Sequence, residues 1–456
     1  MMMVGLGGNN GSTLTASILA NIHGISWQTK EGTCKPNYYG SLTQSSTICL
    51  GDDKDGKEVY LPIRDLLPML NPNDLVIGGW DINGTNLADA MERASVLDYD
   101  LQQKLRPYLT GIVPLPSIYY PEYIASNQSV RADNVLANST KTQDLDSIRQ
   151  DIRDFKAVHD LETVIVMWTA NTERCTPVRH GLNMTPTEVL ASIENNDADI
   201  SPSNIFATAA ILEGCPYLNG SPQNTLVPGI VDMATEHGVF IGGNDFKSGQ
   251  TKLKTSLVEM LVGAGMKPEA IVSYNHLGNN DGKNLQGEEQ FKSKEISKAG
   301  VIDDIVQSNA ILYGPGESPD HCVVIKYVPF VRDSKRAMDE YTSSIFMNGR
   351  STIAVHNTCE DSLLSSPLII DLVVLTELMT RVRYKTCQTS GFVPFESVLS
   401  ILSYLMKAPA TPGSEPVVNS LGRQHRCITN ILRAFVGLPP NNDMLLTHKT
   451  SAVSYD

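Results

Sequence analysis

Apolar residues in this chain fall in short runs, and most runs stop abruptly at a cluster of small polar residues. The run 239–241 opens onto Gly242-Gly243-Asn244-Asp245-Phe246-Lys247-Ser248-Gly249-Gln250-Thr251-Lys252. The run 270–273 opens onto Tyr274-Asn275-His276-Leu277-Gly278-Asn279-Asn280-Asp281-Gly282. Likewise 75–78 leads into Gly79-Trp80-Asp81, 163–168 into Thr169-Ala170-Asn171-Thr172, and a short strand at 218 into a polar turn reaching Thr225. Such runs, bounded by turn residues, predict buried strands. Between them lie helical periods: Leu14, Ile18, Leu19 and Ile22; the stretch 86–97; and 144–159 with Leu145, Ile148, Ile152 and Phe155 inward. A further amphipathic helix after 252 carries Leu253, Leu257, Met260 and Leu261. Alternation of strand and helix predicts an α/β fold with a mostly parallel sheet.

The proline-rich segment 111–120 reads as a loop over the site. Beyond 300, segments 321–328 and 352–355 read as strands, with an acidic helix start at Met338, Asp339 and Glu340 between them. Helices are expected over 363–382, 395–406 and 427–436. The longest apolar run, 363–378, carries Asp371 and Glu377, so it reads as a buried helix and not a membrane span.

Ligands of α/β proteins bind at strand ends, which is where the polar clusters sit. In the first turn, Gly5, Gly7 and Gly11 form GxGxxxG, one residue longer than the usual dinucleotide fingerprint. A ribose hydroxyl there could be bound by Glu31, or better by Asp81 at a predicted strand end. The turn before 252 frees backbone N–H groups and a positive helix end for an anion such as phosphate. Ser248, Gln250 and Thr251 add donors, and Lys252 and Lys254 add charge. Lys294 and Lys298 share one face if helical. Each feature has a plain alternative: turn punctuation, a helix cap, a solvated lysine pair, or a Lys407 that merely ends helix 395–406. Three clusters so close together favour a site.

With 456 residues the chain is long enough for two or three domains. Its net charge of -14, without any Lys/Arg block, argues against nucleic acid and leaves the gathered lysines for a small anionic substrate. Eight cysteines without CxxC spacing read as free thiols of a reducing compartment. No HExxH or close histidine pair supports a metal. Met1 to Leu6 is too short for a signal, so the expectation is cytoplasmic, with no membrane association.

The clusters read in order as GGNNGST from Gly7, GWDI from Gly79, WTANTER from Trp168, NGSPQNT from Asn219 and DFKSGQTK from Asp245. They continue as SYNHLGNNDG from Ser273, SKEISK from Ser293, DSKRAMDEYTS from Asp333, HNTCEDSLL from His356, and Met406-Lys407-Ala408-Pro409. In these strings the chain resembles the eukaryotic inositol-3-phosphate synthase (myo-inositol-1-phosphate synthase) family along nearly its whole length. The resemblance implies a modified Rossmann NAD-binding domain over 1–251, an inserted α+β catalytic and tetramerisation domain over 252–362, and C-terminal helices over 363–456 completing the first. It implies a homotetramer that uses NAD to cyclise D-glucose 6-phosphate to 1D-myo-inositol 3-phosphate, the first step of de novo inositol and phosphatidylinositol synthesis. The steps are oxidation at C5, enolisation, intramolecular aldol closure and re-reduction.

Carried over by position, Lys294, Lys335, Lys407 and Lys298 are catalytic, with Asp245 and Asp281 to orient them. Ser248, Gly249, Gln250 and Thr251 hold the phosphate, with Lys298 beside it. Gly7, Gly8, Asn9, Asn10, Asp81, Ser117, Gln128, Arg131, Thr172, Asp245, Asn280, Asp281, Asp333, Asp361 and Ser362 contact or orient NAD. Departures from the family pattern are a first strand reduced to Met1–Gly5, Asn244 for Asp, Lys292 for Arg, and a bulky Arg332 expected to crowd the cofactor pocket. The chemistry agrees with the residue types: among clustered lysines one loses its proton and serves as base, while another donates to a developing oxyanion. Two rival readings are a net sugar-phosphate dehydrogenase and a non-catalytic NAD-binding scaffold.

Overall fold

The computed structural model describes residues 1–413 and 415–441. At its centre is a six-stranded sheet. Its strands are β1 (Met2–Val4), β2 (Gly78–Asp81), β3 (Leu115–Pro116), β4 (Val166–Trp168), β5 (Tyr217–Asn219) and β6 (Ile241–Gly242). The order across it is β6-β5-β4-β1-β2-β3, every pair parallel. The chain first builds outward on one side of β1, then returns to build on the other. That reversal makes β1 the switch point, and its carboxyl end opens onto a crevice.

Alternate side chains of the strands enter two separate cores, as a pleated strand requires. Met3, Met167 and Leu218 join a cluster with Leu14 and Ile18 of α1 (Asn9–Ile22). Met2, Val4, Val166 and Tyr217 join the other, with Leu145, Ile148 and Ile152 of α2 (Lys141–Val158) and Ile205 and Phe206 of α3 (Pro202–Leu212). Two covered faces explain why these strands are continuously apolar.

The chain then leaves through α4 (Gly249–Gly263) into β7 (Lys267–Leu277), α5 (Glu288–Ala299), β8 (Asp320–Tyr327), β9 (Ser334–Ile345) and β10 (Gly349–Glu360). These strands form a second sheet in the order β8-β7-β9-β10, with only β7 and β8 parallel. Val258, Leu261 and Val262 of α4 pack on its inner face against Ile271 and Tyr341. The chain returns to the first sheet through α6 (Asp361–Arg381), whose Leu372 and Leu375 lie in the same core as α1, and later through α7 (Leu421–Phe435). Helix α6 is long and apolar enough to cross a membrane, but 78% of that window is buried inside the protein. Asp371 within it is fully buried and accepts hydrogen bonds from the hydroxyls of Ser41 and Thr43 and the backbone N–H groups of Leu42 and Thr43.

Four expectations need correction. Met338, Asp339 and Glu340 lie in strand β9, not at a helix start, because polar Lys335, Asp339 and Ser343 take inward positions and mask the two-residue period. The expected helix 395–406 shrinks to a 3-10 segment, Ser400–Leu405. Segment 111–120 contains edge strand β3. Finally, Leu253 and Met260 of α4 are exposed, while Gln250, Thr251, Lys254 and Thr255 face inward with Val258, Leu261 and Val262. Residues 442–456 of the expected C-terminal portion lie outside the described residues.

Candidate active site

Asp245 is the hub. It follows β6 in a left-handed conformation (φ 61°) and is 2% exposed. Its Oδ1 accepts from Lys294 Nζ at 3.0 Å, and its Oδ2 accepts from the Ser297 hydroxyl at 2.8 Å and Lys407 Nζ at 3.1 Å. Helix α5 delivers two of these groups because positions 294 and 297 share a face. Lys407 arrives differently. Segments 243–247 and 405–410 pair through backbone hydrogen bonds, among them Lys407 N–H to the Asp245 carbonyl at 2.8 Å and Asn244 N–H to the Ala408 carbonyl at 2.7 Å. Lys407 is therefore a cross-chain partner and not the last residue of a helix.

The remaining two lysines stand around this hub. Lys335, at the start of β9, pairs with Asp361 at 3.6 Å. Lys298 Nζ donates to Asn275 Oδ1 of β7 at 3.0 Å. All four expected lysines thus converge between the two sheets.

Burial pulls the Lys294 ammonium toward discharge, but Asp245, Asp281 and Asp361 outweigh it and hold its pKa above the usual value. Lys407 is pushed down to about 7 by burial, with Lys294 and Lys335 adding to the shift and Asp245 resisting it. Lys298 is driven well below the ordinary lysine range by burial and by the cations of Lys335, Lys407, Lys254 and Lys294. For Asp245, burial is outweighed by Lys294, Lys407 and Ser297, so the carboxyl stays ionised. One firmly charged lysine beside two that discharge easily is an acid–base set.

The hub opens into a cleft over the switch point, with about 1260 Å³ of empty space, part of it open to solvent. Of the expected residues, Gly8, Asn9, Asn10, Asp81, Ser117, Arg131, Thr172, Asn280 and Asp281 line it, as do Asp245, Ser248, Lys294, Lys335, Asp361 and Lys407. Others stand one layer behind. The Gly7 carbonyl accepts from Arg93, Gln128 accepts from Asn280 at 2.9 Å, and Asp333 accepts from Asn9 and Ser362. In the expected phosphate turn only Ser248 reaches the wall; Gly249 is exposed, Thr251 is buried, and buried Gln250 donates to Asp339. Asp281 accepts from the backbone N–H and hydroxyl of Thr172, and among the described residues it bonds to no lysine, acting on Lys294 through charge alone.

Glu31 lies exposed in a hairpin beside Lys30, far from a ligand role, whereas Asp81 ends β2 and is buried. Lys252 stacks over the Tyr404 ring instead of facing the turn. Arg332 is exposed and is not among the cleft-lining residues, so the expected crowding does not occur. Lys292 is exposed and Asn244 accepts from Asn219. Reasoning from sequence missed Ser297, although its place three residues after Lys294 in SKEISK was a usable signal. Asn275 was placed in a polar cluster after the strand and given no role, whereas β7 runs on to Leu277 and holds it inside.

The cleft suits a dinucleotide. A Cβ at Gly11 would sit 2.3 Å from the Leu6 carbonyl oxygen, so only glycine lets α1 approach β1 this closely. Gly8 precedes the first turn of α1 with free N–H groups nearby, the place for a pyrophosphate. Asp81, at the end of the adjacent parallel strand and 3.5 Å from the Arg131 guanidinium, is positioned for ribose hydroxyls.

Comparison with known proteins agrees. The sequence profile of the family described as myo-inositol-1-phosphate synthase, an NAD-binding family, matches residues 1–433. Inositol-3-phosphate synthase 1-B of Xenopus laevis is 61% identical over 98% of this chain and 79% of that protein. Inositol-3-phosphate synthase 1 of Homo sapiens is 58% identical over 98% of this chain and 80% of its own length. The crystal structure of inositol-3-phosphate synthase from Caenorhabditis elegans superposes with a TM-score of 0.96 at 57% identity, covering 99% of this chain and 89% of that one.

Proposed function

Because the chain belongs to the myo-inositol-1-phosphate synthase family, we propose that it cyclises D-glucose 6-phosphate to 1D-myo-inositol 3-phosphate with no net redox change. The observation that carries this reading is the lysine set around Asp245 at the end of a dinucleotide cleft. NAD, when bound, supplies a reversible hydride acceptor. Gly8, Asn9, Asn10, Asp81, Ser117, Arg131, Thr172 and Asn280 are its proposed wall contacts. Gly7, Gln128, Asp333 and Ser362 orient those contacts from behind.

The chain's own groups handle protons and charge. Lys407, with a pKa near neutrality, is the proposed base that takes a proton from the sugar. Lys294, held charged by Asp245, donates to the oxygen that gains negative charge in enolisation and ring closure. Lys335 and its partner Asp361 stand on the same cleft wall to fix a sugar hydroxyl. Ser248 and the turn through Thr251, with Lys298, take the phosphate. For Gly249, Gln250 and Thr251 this requires binding from the α4 side of the wall.

The outer face of the second sheet supports a homotetramer. Tyr274, Val324 and Met338 are exposed there, with Phe346 90% exposed at the turn between β9 and β10. Light scattering should give four times 49.7 kDa. Unpaired cysteines at all eight positions favour the cytoplasm.

The test is incubation with glucose 6-phosphate and NAD, followed by phosphorus NMR and absorbance of NADH. Inositol phosphate at constant NADH supports the proposal. Accumulating NADH would mean a net dehydrogenase, and no turnover a binding scaffold.

A further inference from the structure

Lys254, expected from the sequence only to add charge near the anion-binding turn, is 4% exposed and sits one helical turn beyond Gln250 on the inward face of α4. Its Nζ donates to Ser273 Oγ at 2.7 Å and meets His321 Nε2 at 2.9 Å. An ammonium only donates, so His321 accepts through Nε2 and is neutral. Burial and the Lys254 charge push the His321 pKa down to about 3, in keeping with that neutrality. Burial pushes the Lys254 pKa down to about 8, with the Asp339 carboxylate resisting the shift. Both partners are therefore uncharged, and one N–H of the ammonium is spent on neither.

Strand β7 makes the next link. Ser273 and Asn275 are both buried, two positions apart on its inner side, so the groups they hold stand roughly 7 Å apart. Ser273 holds Lys254 and Asn275 holds Lys298. Asp339, opposite Ser273 in β9, already receives Gln250 and the Tyr341 hydroxyl. Gln250 Oε1, an acceptor, is buried beside it without a hydrogen-bond partner among the described residues. Two lysines thus stand on neighbouring inward positions beside the start of α4, close enough for the Lys254 charge to act on Lys298, and the Asp339 carboxylate is the anionic group that faces Lys254.

We propose that Lys254 is a specificity-determining residue that, with Lys298, selects the dianionic form of the substrate's phosphate over its monoanion. The inference rests on the glucose 6-phosphate reading and deepens it. A phosphomonoester loses its second proton near pH ~6. A site with one cation is satisfied by the monoanion, and a site with two favours the dianion.

The experiment compares wild type with Lys254→Met and Lys254→Arg. Inorganic phosphate binding is measured by calorimetry, KM and kcat for glucose 6-phosphate from pH 5.5 to 8, and NAD binding as a control for folding. For Lys254→Met the expectation is phosphate affinity and KM weakened on the order of ten- to a hundredfold, with NAD affinity unchanged. Wild-type KM should rise below pH ~6 as dianion disappears, and the Met variant should show a flatter dependence. Lys254→Arg should restore part of the preference. A merely structural lysine would not alter the pH dependence of KM. Met-variant KM and phosphate affinity within twofold of wild type, or an unchanged pH dependence, overturn the inference. Failure of wild type to convert glucose 6-phosphate while phosphate still binds defeats the functional reading instead.

Discussion

Replacing Asp245 by Asn should move the acid limb of the pH–rate profile downward. In the wild type, kcat/KM reports ionisations of the free enzyme, and Lys407 titrates at about 7. Below that pH the amine is protonated and cannot act as base, so the rate falls roughly tenfold per pH unit. Asp245 opposes the discharge of Lys407 from 3.1 Å. A charge pair at that distance with an effective dielectric near ~20 is worth at most about 5 kcal/mol, and neighbouring carboxylates typically shift a partner by ~1–3 units. Asn keeps an acceptor for Ser297 or one lysine but carries no charge. The limb should therefore fall by ~1–3 pH units, and at pH 6 the variant should hold a larger share of its own plateau than wild type does. The plateau itself should drop by about a hundredfold, because Lys294 and Lys407 lose their common anchor. The profile is measured by product formation from pH 5 to 9. The substrate's phosphate titrates identically with both proteins, so the difference isolates the lysine. A limb that stays in place, or rises, would refute Lys407 as the base held by Asp245.

Lys294→Ala should abolish turnover while NAD affinity, followed by fluorescence titration, stays within a fewfold of wild type; retained activity would remove Lys294 from the reaction. Gly11→Ala places a methyl where Leu6 O stands 2.3 Å away, and should cost about 1–3 kcal/mol in stability and weaken NAD binding, seen as a lower Tm by calorimetry. Phosphate binding should be linked to proton uptake, because burial and neighbouring cations hold Lys298 well below the ordinary lysine range and a bound dianion opposes that shift. Calorimetry in buffers of different ionisation enthalpy measures that uptake, and its absence would contradict the cluster's electrostatics.

Much of the first sheet was legible because its inner strands are buried on both faces and end in small polar residues, whereas the exposed edge strand β3 was not. Glycine at 5 and 11 and Asp81 after the next strand marked the crevice. The second sheet was harder to read. In β9 the inward positions carry a buried lysine and a buried aspartate, so polarity cancelled the apolar alternation. The same cause misplaced the buried face of α4: Gln250 and Lys254 point inward to Asp339, Ser273 and His321, and Leu253 and Met260 outward. The lysines themselves came from motif resemblance. Their arrangement did not, since Asp245 gathers partners 49, 52 and 162 positions away. No local window contains that information.

The backbone pairing of 243–247 with 405–410 has a consequence for biosynthesis. During translation the glycine-rich turn emerges from the ribosome long before the strip that closes over it. Until that strip docks, the acid is paired with Lys294 alone, and the half-built centre lacks its second amine. Competence for turnover is thus a late event in the life of each polypeptide, and nascent forms halted before the strip emerges should hold nucleotide better than they process sugar.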